Sequence, residues 1–370
     1  MGHGLYIHIP FCRKKCPYCD FYSIEYNPQL VKDYINILSK QIEKINTQIN
    51  TIYIGGGTPT VLEYTFLKRL LNKLSKFLRA SYENTIEANP ESVNKDKIKL
   101  LLKHNVNRLS IGVQSVNDKK LRFLGRIHNA SQAFRAVEEA KEGGFSNISV
   151  DLIYGIPKES LTGWKGELRE VIKLPINHIS CYSLSCEPKT KFYKLKNKIS
   201  EEEVANMYLF NIRFLPRKGF FHYEVSNFSK KDFECLHNLS YWRGNNYIGL
   251  GASAVSFVNG KRIKNIASVE EYIKRVHDKK DYWVHEERLI PLKRARELAA
   301  LKIRTKEGIN FKEFKKMAGF DFFKIIHIQT IEQLGIKGFL RLYKRKGKLY
   351  KISLTEKGFL FCDEVSSEFI

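Results

Sequence analysis

No stretch of this sequence approaches the eighteen or so consecutive apolar residues that a membrane-spanning helix needs, so no transmembrane segment is expected. The first strand-like residue is Leu5, which leaves no room for the charged and apolar regions of a secretory leader. Tyr6 stands where a myristoylation signal has Ser or Thr. A cytoplasmic chain is expected. Cysteines are few and odd in number (Cys12, Cys16, Cys19, Cys181, Cys186, Cys235 and Cys362), which speaks for reduced thiols rather than a disulfide framework. A structural zinc site normally uses two C-x2-C pairs, and only one is present. Acidic residues are scarce as well: 39 against 63 basic ones, a net charge of +24. Such a charge suits anionic partners such as nucleic acid, anionic lipid headgroups or porphyrin carboxylates. Lysines are spread evenly over the expected helices, however, which favours general compositional bias as the source of the charge.

The cysteines that are present are placed with purpose. Cys12, Cys16 and Cys19 form C-x3-C-x2-C directly after the short apolar stretch Leu5 to Ile9. Thiolates are the usual protein ligands of iron-sulfur clusters. A four-iron cluster held by three of them keeps one iron open to an exogenous ligand, which is what a reactive cluster needs.

From Leu5 to about Ser185 short β-branched runs alternate with longer helical stretches. Strands are expected at Leu5–Ile9, Thr51–Ile54, Asn84–Ala88, Arg108–Ile111, Asn147–Leu152 and His178–Tyr182. Helices are expected near Pro28–Lys44, Glu63–Arg79, Lys95–Lys103, Ala130–Glu142 and Leu161–Leu174. Six βα units imply a parallel sheet with helices outside, either an open sheet or a partial barrel. In such folds chemistry gathers at the C-terminal ends of the strands. Five notable elements fall there: the cysteine loop, Gly55-Gly56-Gly57-Thr58-Pro59, Glu87, Gln114, and Asp151 before Tyr154-Gly155-Ile156-Pro157.

C-x3-C-x2-C after a strand, with Tyr18 just before the last cysteine, resembles the radical S-adenosylmethionine (radical SAM) superfamily. The wording Tyr6-Ile7-His8-Ile9-Pro10-Phe11-Cys12 resembles one family within it, that of the oxygen-independent coproporphyrinogen dehydrogenase HemN and its relative, the haem chaperone HemW. The resemblance implies an α/β fold: a partial (β/α)6 TIM-like radical SAM barrel with a small C-terminal winged-helix-like α+β domain. It also implies a 4Fe-4S cluster on Cys12, Cys16 and Cys19, and S-adenosylmethionine contacts from Tyr6, Tyr18, Gly56, Gly57, Thr58, Glu87, Gln114, Arg126 and Asp151. Read singly, Glu87 could cap the segment Asn89-Pro90-Glu91, and Arg126 could be a solvated helix end. Leu124-Gly125-Arg126-Ile127-His128 matches the family's LGR-x-H wording, which favours a cation facing a cofactor carboxylate; His128 is read as structural.

After Tyr182 the pattern changes. A lysine-rich segment leads to a helix at Glu201–Leu215, then Tyr223-Glu224-Val225-Ser226-Asn227-Phe228, His237-Asn238-Leu239-Ser240-Tyr241-Trp242 and Gly249-Leu250-Gly251-Ala252-Ser253-Ala254. The H-N-x-x-Y-W stretch resembles the chaperone branch, where this region is associated with haem. His237 is a candidate axial ligand, and Tyr241 and Trp242 are candidates to stack on the macrocycle. The alternatives are that these residues pack the lid of the barrel, or that Cys235 ligates instead.

From about Leu289, helices near Lys293–Arg304, Asn310–Ala318, Phe323–Gln333 and Thr355–Glu364 surround a two-strand ribbon, Leu340–Tyr343 and Leu349–Ser353. The ribbon carries Arg341, Lys344, Arg345, Lys346, Lys348 and Lys351, a basic wing suited to nucleic acid or a membrane surface. In the family this domain covers the barrel and needs no DNA. The expected division is 1–200 for the core barrel, 201–288 for its extension and 289–370 for the C-terminal unit. The dehydrogenase continues its motif with a further cysteine two residues after the third, where this chain has Phe21, and it extends ahead of the first strand. Both differences point to the chaperone branch: a protein that binds haem and passes it to an acceptor such as a membrane respiratory protein. Alternatives are a true radical enzyme acting on coproporphyrinogen III or transferring methyl or sulfur groups, and a nucleic-acid-modifying radical protein.

Overall fold

The computed structural model describes residues 2–370. Six parallel strands form its centre: β1 (His3–Ile9), β2 (Ile49–Gly56), β3 (Glu83–Ala88), β4 (Arg108–Gln114), β5 (Asn147–Tyr154) and β6 (His178–Ser183). All six expected strands are present, several of them longer than expected. Helices α1 (Pro28–Glu43), α2 (Tyr64–Leu74), α3 (Lys95–Lys103), α4 (Asp118–Phe123), α5 (Ala130–Glu142) and α6 (Leu161–Val171) lie between them. The starts of the helices are set by short polar side chains. Asn27, Asn94, Asn117, Asn129 and Ser160 each accept a hydrogen bond from a first-turn backbone N–H, which satisfies donors the helix itself cannot.

Alternate residues of a strand face opposite ways. One set, including Leu5, Ile7, Ile9, Ile52, Ile54 and Ile86, is buried under the helices, each side chain contributing about 2 kcal/mol of burial. The other set faces the lumen and is polar, as its mutual hydrogen bonds show: Tyr6 with His8, Tyr53 with Glu87, Ser110 with Asp151, and Ser149 with His178.

The region after β6 is not a separate layer. Strands β7 (Phe221–Glu224) and β8 (Asn227–Ser229) form a hairpin that continues the sheet beside β6. Strand β9 (Tyr247–Leu250) returns to the other edge and pairs in parallel with β1. The antiparallel strands β10 (Val255–Val258), β11 (Lys261–Asn265) and β12 (Trp283–Arg288) then extend that edge. The result is one twelve-stranded sheet in the order β12-β11-β10-β9-β1-β2-β3-β4-β5-β6-β8-β7, a barrel that stays open between its two ends.

Helix α7 (Glu201–Phe214) precedes the β7–β8 hairpin, and α8 (Leu236–Trp242) follows it. Helices α9 (Val269–His277), α10 (Pro291–Lys302) and α11 (Phe311–Ala318) come next. The expected helix at Phe323–Gln333 is two helices, Phe322–Ile325 and Ile328–Ile336, because Ile326 and His327 adopt extended backbone between them. The wing is a three-stranded sheet rather than a two-stranded ribbon: β13 (Ile309–Asn310) pairs with β15 (Lys348–Leu354), which pairs with β14 (Leu340–Arg345). The C-terminal unit packs on α8 and the β7–β8 hairpin, with Arg304 over the Trp242 ring and the Val225 N–H donating to Arg304 O.

Candidate functional site

The cysteine loop leaves the C-terminal end of β1 and is closed at its base. Phe11–Cys12 pairs in parallel with Ile24–Glu25, and the Tyr26 N–H donates to Cys12 O at 2.9 Å. Within the loop the Cys19 N–H reaches Cys16 O at 3.2 Å. Thr58 Oγ1 donates toward Cys12 Sγ at 3.6 Å, and Arg126 Nη1 toward Cys16 Sγ at 3.4 Å. Burial raises the thiols of Cys12 and Cys19, against the hydroxyl of Thr58 at Cys12 and the backbone of Phe21 at Cys19. Three soft donors on one closed loop, with a permanent guanidinium charge beside them, fit an iron-sulfur cluster. No three His, Cys, Asp or Glu side chains among the described residues are spaced for a single metal ion.

The glycine turn after β2 docks on that loop. The Gly57 N–H donates to Ile9 O at 2.9 Å, and the Thr58 N–H donates to Phe11 O at 2.8 Å. Gly56 has φ +115°, and a Cβ there would lie 2.6 Å from the His8 ring, so only glycine fits. Glu87, near the end of β3, faces the lumen and does not cap the following segment, where Asn89 and Ser92 cap each other. Its carboxylate accepts from Tyr53 OH at 2.8 Å and from the Gly56 N–H at 2.9 Å. Burial pushes its pKa up to about 7, and the charge of Asp151 adds to the shift. Asp151 is raised by burial too, against the hydroxyls of Ser180 and Ser110. Tyr6 OH bonds His8 Nδ1 at 2.9 Å, and burial holds the His8 imidazole neutral, with a pKa of about 4.

Arg126 is no solvated helix end. Its Nη2 donates to Asn89 Oδ1 at 2.6 Å and to Gly112 O at 3.0 Å, and its Nη1 approaches Tyr18 OH at 3.5 Å. Asn89, absent from the residues expected at the site, donates in turn to Thr58 Oγ1 at 2.9 Å. It thereby ties the glycine turn to Arg126. Its one signal in the sequence is its place just after a strand and before Pro90. A Cβ on Gly112 would lie 2.8 Å from Gln114 Nε2, 2.9 Å from Asn89 Oδ1 and 3.6 Å from Arg126 Nη2. These three side chains therefore converge over one bare glycine. Gln114 itself sits at φ +65°, a left-handed backbone that costs a non-glycine residue energy. Cys12, Cys16, Tyr18, Thr58, Gln114 and Arg126 are thus gathered on the rim, with Tyr6, Glu87 and Asp151 on the lumen wall. The lumen is open there: Tyr182, whose phenol faces Asp151, Glu224 and Glu87, is 41% exposed.

His237, Tyr241 and Trp242 lie elsewhere. The starts of the strands form a closed floor in which Arg108 and His178 are buried, and α8 plugs it. His237 is 1% exposed and packs on Gly4. Its Nδ1 bonds Thr51 Oγ1 and its Nε2 bonds Tyr241 OH, both at 2.8 Å. Burial, and then the charge of Arg108, lower its pKa to about 3. Glu83 anchors α8 by accepting from the backbone N–H groups of Leu236 and His237. Tyr241 meets Tyr247 edge-on at 4.6 Å, and Trp242 lies against Arg304. In this conformation His237 is buried with both ring nitrogens engaged, while Tyr241 and Trp242 are half-buried beside it on the barrel floor. Cys235 is buried beside Glu83.

Residues 6–172 match the radical SAM superfamily. Over 376 residues the chain is 35% identical to the haem chaperone HemW of Lactococcus lactis subsp. lactis (strain IL1403), covering 100% of this chain and 97% of the relative. It is also 35% identical over 380 residues to HemW of Bacillus subtilis (strain 168), with 99% and 98% covered. Among solved structures, coproporphyrinogen III oxidase (HemN) from Escherichia coli superposes with a TM-score of 0.85 at 22% identity, over 100% of this chain and 90% of that one; this shows the fold alone. Full-length identity at that level, together with the three-cysteine rim loop, establishes that the chain belongs to the HemW family of radical SAM proteins.

Proposed function

We propose that this protein is a haem chaperone, which binds haem and transfers it to an acceptor protein while carrying a cluster and S-adenosylmethionine on its barrel rim. The observation that carries the reading is identity with proteins named as haem chaperones along the whole chain. Membership of the radical SAM superfamily implies the 4Fe-4S cluster and S-adenosylmethionine. Cys12, Cys16 and Cys19 would hold the cluster. Tyr6, Tyr18, Gly56, Gly57, Thr58, Glu87, Gln114, Arg126 and Asp151 would hold S-adenosylmethionine. When bound, this pair supplies reductive cleavage of a sulfonium bond. The protein's own part is to position and exclude. Asn89 orients Arg126, Thr58 and Arg126 donate to the sulfurs of Cys12 and Cys16 that would hold the cluster, and Tyr53 with the Gly56 N–H orients the Glu87 carboxylate.

For haem we propose His237, with Tyr241 and Trp242 beside it, on one condition set by the floor geometry. The imidazole reaches an iron only after α8 releases it from Thr51 and Tyr241. The competent state is then a minority, and apparent affinity is reduced by its fraction. Thr51→Val removes one bond of the closed state, worth about 1 kcal/mol. That variant should bind haem about fivefold more tightly while losing about 1 kcal/mol of stability, read from a Soret titration and urea unfolding. Unchanged affinity would remove His237 as a ligand held in reserve.

We further take 1–200 as the core barrel, 201–288 as its extension and 289–370 as a cover over the barrel, in a cytoplasmic protein that passes haem to an acceptor such as a membrane respiratory protein. No helix among the described residues is long and apolar enough to cross a membrane. The deciding experiment incubates reconstituted protein anaerobically with coproporphyrinogen III, S-adenosylmethionine and a strong reductant, and in parallel with haem and an apo acceptor. We expect a Soret band at one haem per chain, haem transfer, and no protoporphyrinogen. Formation of protoporphyrinogen would make it a dehydrogenase instead.

A further inference from the structure

Outside the residues just assigned, the most completely built charged cluster centres on Lys120 of α4. Its side chain is 4% exposed and pairs with two carboxylates, Glu159 and Glu167, at 6% and 9% exposure. The Glu167 contact is 3.1 Å, and the ammonium lies 4.9 Å above the Trp164 ring. Neither carboxylate ends there. Glu159 Oε2 accepts from the N–H groups of Gly155 at 2.7 Å and Ile156 at 3.1 Å. Glu167 Oε2 accepts from the Val116 N–H at 3.0 Å and from the Ser115 hydroxyl.

The two arms end at two different rim turns. One fixes Ser115 and Val116, directly after Gln114, whose left-handed backbone at φ +65° persists only if its surroundings hold it. The other fixes the turn after β5, the strand that carries Asp151. A surface ion pair could not do this, because solvent screens it and its side chains wander. A buried one with every oxygen engaged has a single arrangement, and removing its cation would leave two carboxylates facing each other without compensation.

We propose that Lys120 is a positioning residue for S-adenosylmethionine: it locks the turns after β4 and β5 at one separation and so sets the geometry of Gln114 and Asp151. This rests on the reading of the rim as the S-adenosylmethionine site. Lys120 touches neither the cysteine loop nor the barrel floor, so its loss should spare cluster and haem.

The test uses full-length reconstituted protein carrying Lys120→Arg, and separately Glu167→Gln, which keeps the Lys120–Glu159 pair and weakens the other arm, both its ion pair with Lys120 and its hold on Ser115 and Val116. S-adenosylmethionine binding is measured by anaerobic equilibrium dialysis, alongside iron and sulfide content, the haem Soret titration and the melting midpoint. Lys120→Arg should lose about 10- to 100-fold in S-adenosylmethionine affinity, the range seen for outer-shell partners, and Glu167→Gln should lose part of that. Cluster content and haem affinity should match the wild type. If Lys120→Arg does not fold, Glu167→Gln decides. Affinity within about twofold of wild type in the folded variants overturns the proposal, as does a loss that only follows loss of cluster. Wild-type protein that binds no S-adenosylmethionine overturns the underlying reading of the rim, which the same dialysis shows directly.

Discussion

Cys16→Ser is expected to abolish the visible absorption of the cluster and leave haem binding largely intact. Losing an outer-shell partner already costs about 10- to 100-fold in metal affinity, and a serine oxygen is a harder ligand that replaces one of only three thiolates. Haem binding should survive because His237, the residue proposed for haem, lies at the opposite end of the barrel from the cysteine loop. His237 packs on Gly4, at the start of β1, whereas the cysteine loop begins after Ile9. Five residues of strand separate them, about 16 Å at 3.3 Å per residue. Iron and sulfide analysis with a Soret titration of the variant checks this. Loss of both signals together would contradict separate sites.

Glu87→Gln should remove a pH dependence of stability worth about 3 kcal/mol. In the folded chain the Glu87 carboxyl titrates at about 7, against an ordinary value of 4.5, because burial in the lumen and the charge of Asp151 disfavour its ionised form. Tyr53 OH, the Gly56 N–H and Arg108 face it and oppose the shift without cancelling it. Between those two pH values the folded state holds a proton that the unfolded state has released. The contribution is therefore complete below about pH 4.5 and is lost as the pH rises through about 7. Asp151 is also raised and adds a slope of the same sign. Urea unfolding of wild type and variant, without added S-adenosylmethionine, at about pH 5 and about pH 8 measures the difference. A wild-type-minus-variant difference that stays flat across that window would show that Glu87 is ionised in the fold.

The rim is legible in the order of the amino acids alone. Cys12, Cys16, Cys19, the Gly55–Thr58 turn, Glu87 and Gln114 are placed by local pattern, because each lies near or just past the end of a short apolar strand, whereas Asp151 lies three residues inside β5, which runs on to Tyr154. The ends of parallel strands share one side of the sheet, so a local pattern predicts a shared location. Glycine at 56 is readable for a related reason: it serves a close backbone approach that is encoded where it occurs.

Other features exist only once the whole chain has folded. From sequence His237 reads as a haem ligand, a lid residue or a core histidine, and its partner Thr51 lies 186 residues away. Asn89 looks like part of a turn, and only the approach of Arg126, 37 residues on, gives it a role. Lys120 looks like any other lysine in a chain with 63 basic residues. That the β7–β8 hairpin extends β6 while β9 returns to pair with β1 depends on which edges remain unpaired, a property of the assembled sheet. Spacing along the chain encodes neighbours one turn or one pleat apart. Contacts between distant segments are fixed only when the strands and helices assemble and bury their polar groups together, where each must find a partner.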